Sequence, residues 1–255
     1  MEHIFDTHAH YDDPRFAEDR DVLLASMGER GVARIVNVGS DLDTSRQSIA
    51  LARRFPMVYC SVGVHPDGAD RVPPDYLEQL AALSRADKVV ALGEIGLDYY
   101  YGKETREAQL RVFREQLALA KDLDLPVIIH DRDAHGDTMD LLREFRPRGI
   151  VHCYSGSAEM ARELVKLGMY VGFTGVVTFK NARKALEAVA ALPLDRILLE
   201  TDCPYMAPVP YRGKRCDSSM LPQTAQAIAQ VKGVDPQALV DQTYENGCAV
   251  YSLPR

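Results

Sequence analysis

Cysteine is scarce in this chain and poorly spaced. The five residues, Cys60, Cys153, Cys203, Cys216 and Cys248, are odd in number and form no C-x-x-C pair. A disulfide framework is therefore not expected, and a reducing, cytoplasmic setting is. Long apolar runs are missing as well. No stretch approaches the roughly 18 residues of a membrane span. The N-terminus carries acidic residues from its second position, unlike the basic, then apolar, then small-residue pattern of a secretion signal. Positive charge is in deficit, with a formal net charge of -7, which argues against broad, non-specific binding to duplex DNA. It does not exclude a phosphate substrate, because bound divalent cations can supply positive charge locally. Linkers, charge blocks and low-complexity tracts are absent too, so residues 1–255 are expected to form one domain.

What remains is ordinary globular composition, 46% hydrophobic and 26% charged, enough for a sizeable core. Eight short β-branched and apolar runs recur along the chain: 3–8, 33–39, 57–65, 88–94, 126–131, 149–154, 169–173 and 196–202. Segments of helical periodicity lie between them. In 104–123, Leu110, Phe113, Leu117 and Ala120 share one stripe; 157–168 opens on a capping Ser157 and closes on Gly168; 181–192 runs up to Pro193. Alternation of this kind predicts an α/β fold, a (β/α)8 TIM barrel of parallel strands. The rival is an open doubly wound sheet, but no glycine-rich dinucleotide loop follows the first run. Beyond the eighth run come a loop, 203–218, and two further helical segments near 219–231 and 235–252.

Polar residues collect at the C-terminal ends of these runs. The first supplies Asp6, His8 and His10, where positions two apart on a strand face the same side. The later ones supply His65, Glu94, His130, His152, Glu200 and Asp202, and of the seven histidines only His3 lies away from these ends. Barrel active sites form at that face. Imidazoles and carboxylates without thiolates suit borderline or hard divalent ions such as Zn, Mn, Co, Ni or Mg. Even six of these as ligands exceed the needs of one catalytic ion and match two ions sharing a carboxylate. Cys153 and Cys203 alternate to the other side of their strands and are expected in the core. Asp6 or Glu200 is the candidate partner that orients a ligand imidazole.

The blocks DTHAH, GVHP (63–66), GEIGLDYY (93–100), VIIHDRDA (127–134), HCYSG (152–156), GFTGVVTFKNA (172–182) and LLETDCPYMAPVPYRGKR (198–215) resemble the TatD family of metal-dependent hydrolases, in order and over essentially the whole chain. That resemblance implies a barrel with two divalent ions (Mg, Mn or Zn) that hydrolyses DNA phosphodiesters through metal-activated hydroxide, removing nucleotides from 3′ single-stranded ends. It implies that His8, His10, Glu94 and Asp202 hold one ion, and that Glu94, His130 and His152 hold the second, Glu94 bridging. It also implies that Asp202 doubles as general base.

Substrate contacts follow less directly. His65 and Arg132 sit in matching motifs where a phosphate would be held, although Arg132 is equally suited to pair with Asp131 or Asp133. Arg212, in the basic tract YRGKR, falls where such barrels often bind phosphate; a solvated loop is the plainer reading. Of Tyr99, Tyr100 and Tyr101, one or two are placed to stack on bases. Cys216 stands where the family usually has Asn, and Asp131 adds negative charge beside the phosphate site. The alternative activity is an amidohydrolase or deacylase acting on C–N or ester bonds, such as those of misacylated tRNA; Glu94 at the end of the fourth run, rather than a carboxylatable lysine, favours phosphoesters. A non-catalytic scaffold is the rival from another class. A monomer with no obligate partner is expected.

Overall fold

The computed structural model describes residues 1–254. Eight strands form one parallel sheet in chain order: β1 Ile4–Ala9, β2 Val32–Val38, β3 Val58–Val62, β4 Val89–Asp98, β5 Val127–Arg132, β6 Gly149–Val151, β7 Tyr170–Phe173 and β8 Ile197–Leu199. Between and after them lie α1 Arg20–Ser26, α2 Leu42–Arg54, α3 Tyr76–Leu83, α4 Arg106–Asp122, α5 His135–Phe145, α6 Ala158–Lys166, α7 Arg183–Ala191, α8 Leu221–Lys232 and α9 Pro236–Val250. The ring closes past the ladders. An isolated parallel bridge joins Ala9 to Cys203, and the Asp202 and His10 amides donate to the His8 and Cys203 carbonyls at 2.9 and 2.8 Å. This is the expected (β/α)8 barrel, and its seam runs through residues expected to bind metal.

The cap expected at Ser157 is present, and two further helices are capped by aspartates. Ser157 accepts from the Met160 amide at the start of α6, Asp41 and Thr44 form a reciprocal capping box on α2, and Asp235 caps α9 ahead of Pro236. Such side chains satisfy amides that the first helical turn leaves without partners.

Two buried clusters divide the interior. The larger lies mainly between strands and helices. In the smaller, Ile128, Ile150 and Leu198 stand two residues before His130, His152 and Glu200, hence on the same side of their strands; Phe5, Val36 and Val38 join them, and Cys248, Val250 and Tyr251 from the end of α9 close it. The apolar floor of the barrel thus lies directly beneath its polar mouth.

The outline differs from the sequence reading at strand ends. β4 continues four residues beyond Glu94, to Asp98. Gly96 permits this: it has φ 143°, and a Cβ there would fall 2.0 Å from the His130 carbonyl oxygen of β5, so only glycine fits. In α4 the buried stripe includes Gln109 and Gln116, while Leu110 is only partly covered.

Candidate metal centre

Glu94 lies at the middle of the barrel mouth, and its two oxygens face different imidazoles. Oε1 is 2.8 Å from His130 Nδ1 and 2.7 Å from His152 Nε2. Oε2 is 3.5 Å from His8 Nε2 and 3.6 Å from His10 Nε2. Asp202 Oδ1 closes the second group, 3.4 Å from His10 Nε2 and 3.8 Å from His8 Nε2. The structure therefore brings His8, His10, Glu94, His130, His152 and Asp202 together from β1 and the residue after it, β4, β5 and the segments following β6 and β8. His65, which caps the turn after β3, joins them with Nε2 3.7 Å from Glu94 Oε1. Groups able to hold an ion include His8–His10–Glu94, His65–Glu94–His130 and His8–His152–Glu200.

The donor set fits divalent ions on its own geometry. His8 Nε2 and His10 Nε2 are 3.0 Å apart, a separation at which both nitrogens can reach one ion at about 2.0–2.1 Å. Two tautomers are fixed from behind. His10 Nδ1 is 2.9 Å from the Val38 carbonyl oxygen and donates to it, leaving the Nε2 lone pair facing the centre. His130 Nε2 is 3.1 Å from Asp98 Oδ2, which leaves Nδ1 facing Glu94. Such partners orient ligand rings.

These partners replace Asp6, one of the two that the sequence reading named; the other, Glu200, stands beside the outer nitrogen of His152. Asp6 is spent on the Thr201 amide and hydroxyl, the Ser218 hydroxyl and the His8 amide. Glu200 accepts from the Cys153 amide and lies 3.8 Å from His152 Nδ1. Asp98 lies beyond the end of the fourth run, which the apolar pattern places at Glu94. The available signal was spacing, since 94, 96 and 98 share a face if the strand continues.

Electrostatics separate the imidazoles. Burial lowers His8 to about 4 and His65 to about 3, reinforced by neighbouring imidazoles. Burial would lower His10 and His130 too, but carboxylates prevail: Asp202 and Glu94 bring His10 up to about 9, Asp98 and Glu94 bring His130 up to about 10. Burial would raise Glu94 and Asp202; the surrounding histidines instead hold both below the ordinary carboxylate range. Glu200, fully buried, is pushed up to about 8. Asp202 and Cys153 have positive φ, 58° and 42°, a conformation that clusters where a site over-determines the backbone.

Two cavities open on the centre, both lined by His130, His152 and Asp202. One, about 370 Å³, lies toward β6, β7 and α7. The other, about 440 Å³, lies toward the loops after β1, β2 and β3. Cys153 lines the first, and its Sγ is 3.7 Å from the Thr174 hydroxyl, so it is not the core residue expected; Cys203 is, fully buried.

The remaining predicted contacts divide. Arg132 borders the first cavity. Its guanidinium lies 4.2 and 4.7 Å from the ring centroids of Tyr100 and Tyr101, which are 59% and 64% exposed, whereas Asp131 pairs with His135 at 2.7 Å. Tyr99 turns away to donate to Asp137. Arg212 lines neither cavity: it is exposed and packs on Phe179, 4.4 Å from the ring centroid. Arg215 of the same tract is held by Asp19. Cys216 is fully buried in the core, so its side chain serves packing.

Comparison with known proteins agrees over the full length. The profile of the TatD related DNase family matches residues 5–252. The metal-dependent hydrolase YabD of Bacillus subtilis is 40% identical, over 98% of this chain and 99% of its own. The 3′-5′ ssDNA/RNA exonuclease TatD of Cronobacter sakazakii is 36% identical over 97% of both chains. The crystal structure of YJJV, a TatD homologue from Escherichia coli, superposes with a TM-score of 0.92 at 31% identity, covering 98% of each chain.

Proposed function

The chain belongs to the TatD related DNase family, and from that premise we propose that it is a divalent-metal-dependent phosphodiesterase that removes nucleotides from the 3′ ends of single-stranded DNA. The observation that carries this reading is Glu94, a buried anion whose two oxygens face two separate imidazole groups. In this reading His8, His10, Glu94 and Asp202 hold one ion and Glu94, His130 and His152 the other. Such ions polarise phosphate oxygens and make water more acidic.

The chain's own groups do the rest. Asp202, kept anionic and bordering both cavities, accepts a proton from the attacking water. Asp98 holds the His130 ring with Nδ1 inward. His65 lies beside the same group, within reach of a phosphate oxygen or an ion. Arg132 offers its guanidinium to a phosphate, and the exposed Tyr100 and Tyr101 rings offer stacking surface to bases. Arg212, exposed on Phe179, is available to a strand that runs past the cavities.

Five free thiols support a reducing cytoplasm, and among the described residues no helix is long and apolar enough to cross a membrane. The large exposed apolar side chains, such as Val22, Val209 and Val231, are scattered and support a monomer.

The test follows a 3′-labelled single strand with metal-stripped protein resupplied with Mg, Mn or Zn. Stepwise loss of 3′ nucleotides that requires metal, and that falls about 10²–10⁴-fold in Asp202→Asn, is the expected result. A protein that binds its ions yet leaves the strand intact refutes it.

A further inference from the structure

The two cavities that meet at the centre are chemically opposite. The larger is bordered by Asp12, Asp13, Asp41 and Asp67 with Arg71 alone as a cation beside its histidines, surroundings that repel a phosphate backbone. The smaller has apolar walls, Phe173, Val176, Val177 and Met206, and its polar edge carries Arg132, Asn181 and Lys184; of its two carboxylates, Asp131 is paired with His135 and Asp202 belongs to the centre itself. Phe173 and Val177 are 1% and 3% exposed, so these walls are set into the core. At about 370 Å³ the cavity falls near the lower end of small-ligand pockets, about 300–1,000 Å³, room for one nucleoside and not for two.

We propose that this cavity seats the terminal nucleoside of the substrate, its base between the Phe173, Val177 and Met206 walls and its 5′-phosphate at the centre, so that the pocket sets removal at one nucleotide per turnover. The inference rests on the phosphodiesterase reading for its chemistry. Water oxygen bonds to phosphorus, the P–O3′ bond breaks, and the departing 3′-oxygen of the penultimate nucleotide takes up a proton. A 5′-mononucleotide remains in the pocket. The rest of the strand leaves from the phosphate over the exposed surface of Arg132, Tyr100 and Tyr101 at the rim of this cavity, away from the four aspartates. An apolar slot with a few polar groups at its edge binds any base by its faces, consistent with an enzyme that must process mixed sequences.

The inference is tested with two chromogenic diesters that share a leaving group. In thymidine 5′-(p-nitrophenyl phosphate) the nucleoside occupies the retained side of the phosphorus; in methyl p-nitrophenyl phosphate a methyl group does. The metal-loaded protein is expected to prefer the first by at least about a hundredfold in kcat/KM, mostly through KM. Val177→Trp, which fills the cavity, should cut that preference by tenfold or more, and the smaller Val177→Phe should cut it partly; metal content and thermal unfolding report that the variants are intact. Calorimetric binding of thymidine 5′-monophosphate should weaken in parallel, and deoxyribose 5-phosphate should bind at least tenfold more weakly than the nucleotide. If the wild type cleaves both esters equally, or if the preference survives Val177→Trp, the nucleoside pocket is overturned while the phosphodiesterase reading stands. If neither ester is cleaved but the mononucleotide binds and Val177→Trp weakens it, the pocket stands and the phosphodiesterase reading falls.

Discussion

Asp98 shows how much one side chain contributes to this centre. Its Oδ2 accepts from His130 Nε2 at 3.1 Å, while its Oδ1 accepts from the Tyr100 and Tyr101 amides, both at 2.9 Å. One carboxylate therefore fixes the tautomer of a ligand ring and the turn that presents the tyrosines. Asn can keep one oxygen acceptor but cannot serve both partners as an anion. Asp98→Asn is expected to weaken binding of the ion nearest His130 by about 10–100-fold, with a smaller effect on the His8–His10 group. Calorimetric titration of the stripped protein with Mn or Zn resolves the two classes; equal loss at both, or at neither, contradicts the assigned role.

At the scale of elements, α4 holds the barrel mouth in place through two buried glutamines. Gln116 accepts from the Val64 amide at 2.8 Å and donates to the Val64 carbonyl at 2.9 Å, next to His65. Gln109 does the same for the Asp98 amide and carbonyl, at 2.8 and 3.0 Å. Each amide side chain takes the place of a neighbouring strand where the sheet has run out, so the buried backbone groups stay paired. Gln116→Leu leaves an N–H and a C=O of Val64 without partners, at about 1–3 kcal/mol each. Chemical denaturation should show a loss of about 2–6 kcal/mol on that basis, and because the loop carrying His65 is freed, metal affinity should fall with it. A variant as stable as the wild type contradicts this account of α4.

For the whole molecule, the charges at the mouth couple metal, protons and stability. His10 and His130 have folded values of about 9 and 10, above the ordinary histidine value of about 6.5. The stability they contribute in the metal-free protein is full below about pH 6.5 and is lost as pH rises through 9 to 10. His8 and His65, held near 4 and 3, act oppositely, and their contribution is lost as pH falls from about 6.5 toward those values. The stripped protein should therefore melt at progressively lower temperature from pH 6.5 to 10. Divalent ions must displace the two protons, so the rise in melting temperature on adding metal should grow over the same interval. Titration at pH 7 in two buffers of different ionisation enthalpy should report release of two or more protons as both ions bind, since His152 is raised by its carboxylate neighbours as well. No release would show that these imidazoles are already neutral.

The sequence by itself determined the barrel and the convergence of its ligands. Both follow from local rules: eight apolar runs separated by helical periodicity impose parallel pairing, and chain direction sends His10, Glu94, His130, His152 and Asp202 to one mouth. Tertiary structure alone decided the partners. Asp98 and His130 are 32 positions apart and meet only because β4 extends past Gly96 beside β5. The same holds for Arg132, whose own neighbours Asp131 and Asp133 offered an ion pair but which stacks on Tyr100 and Tyr101 instead, and for Arg212, carried by its loop onto Phe179. Periodicity and spacing report which face a residue occupies. The orientation of a side chain within that face, and the contrast between an apolar and an acidic cavity on either side of the centre, arise from register and packing between segments far apart in the chain, which local pattern does not encode.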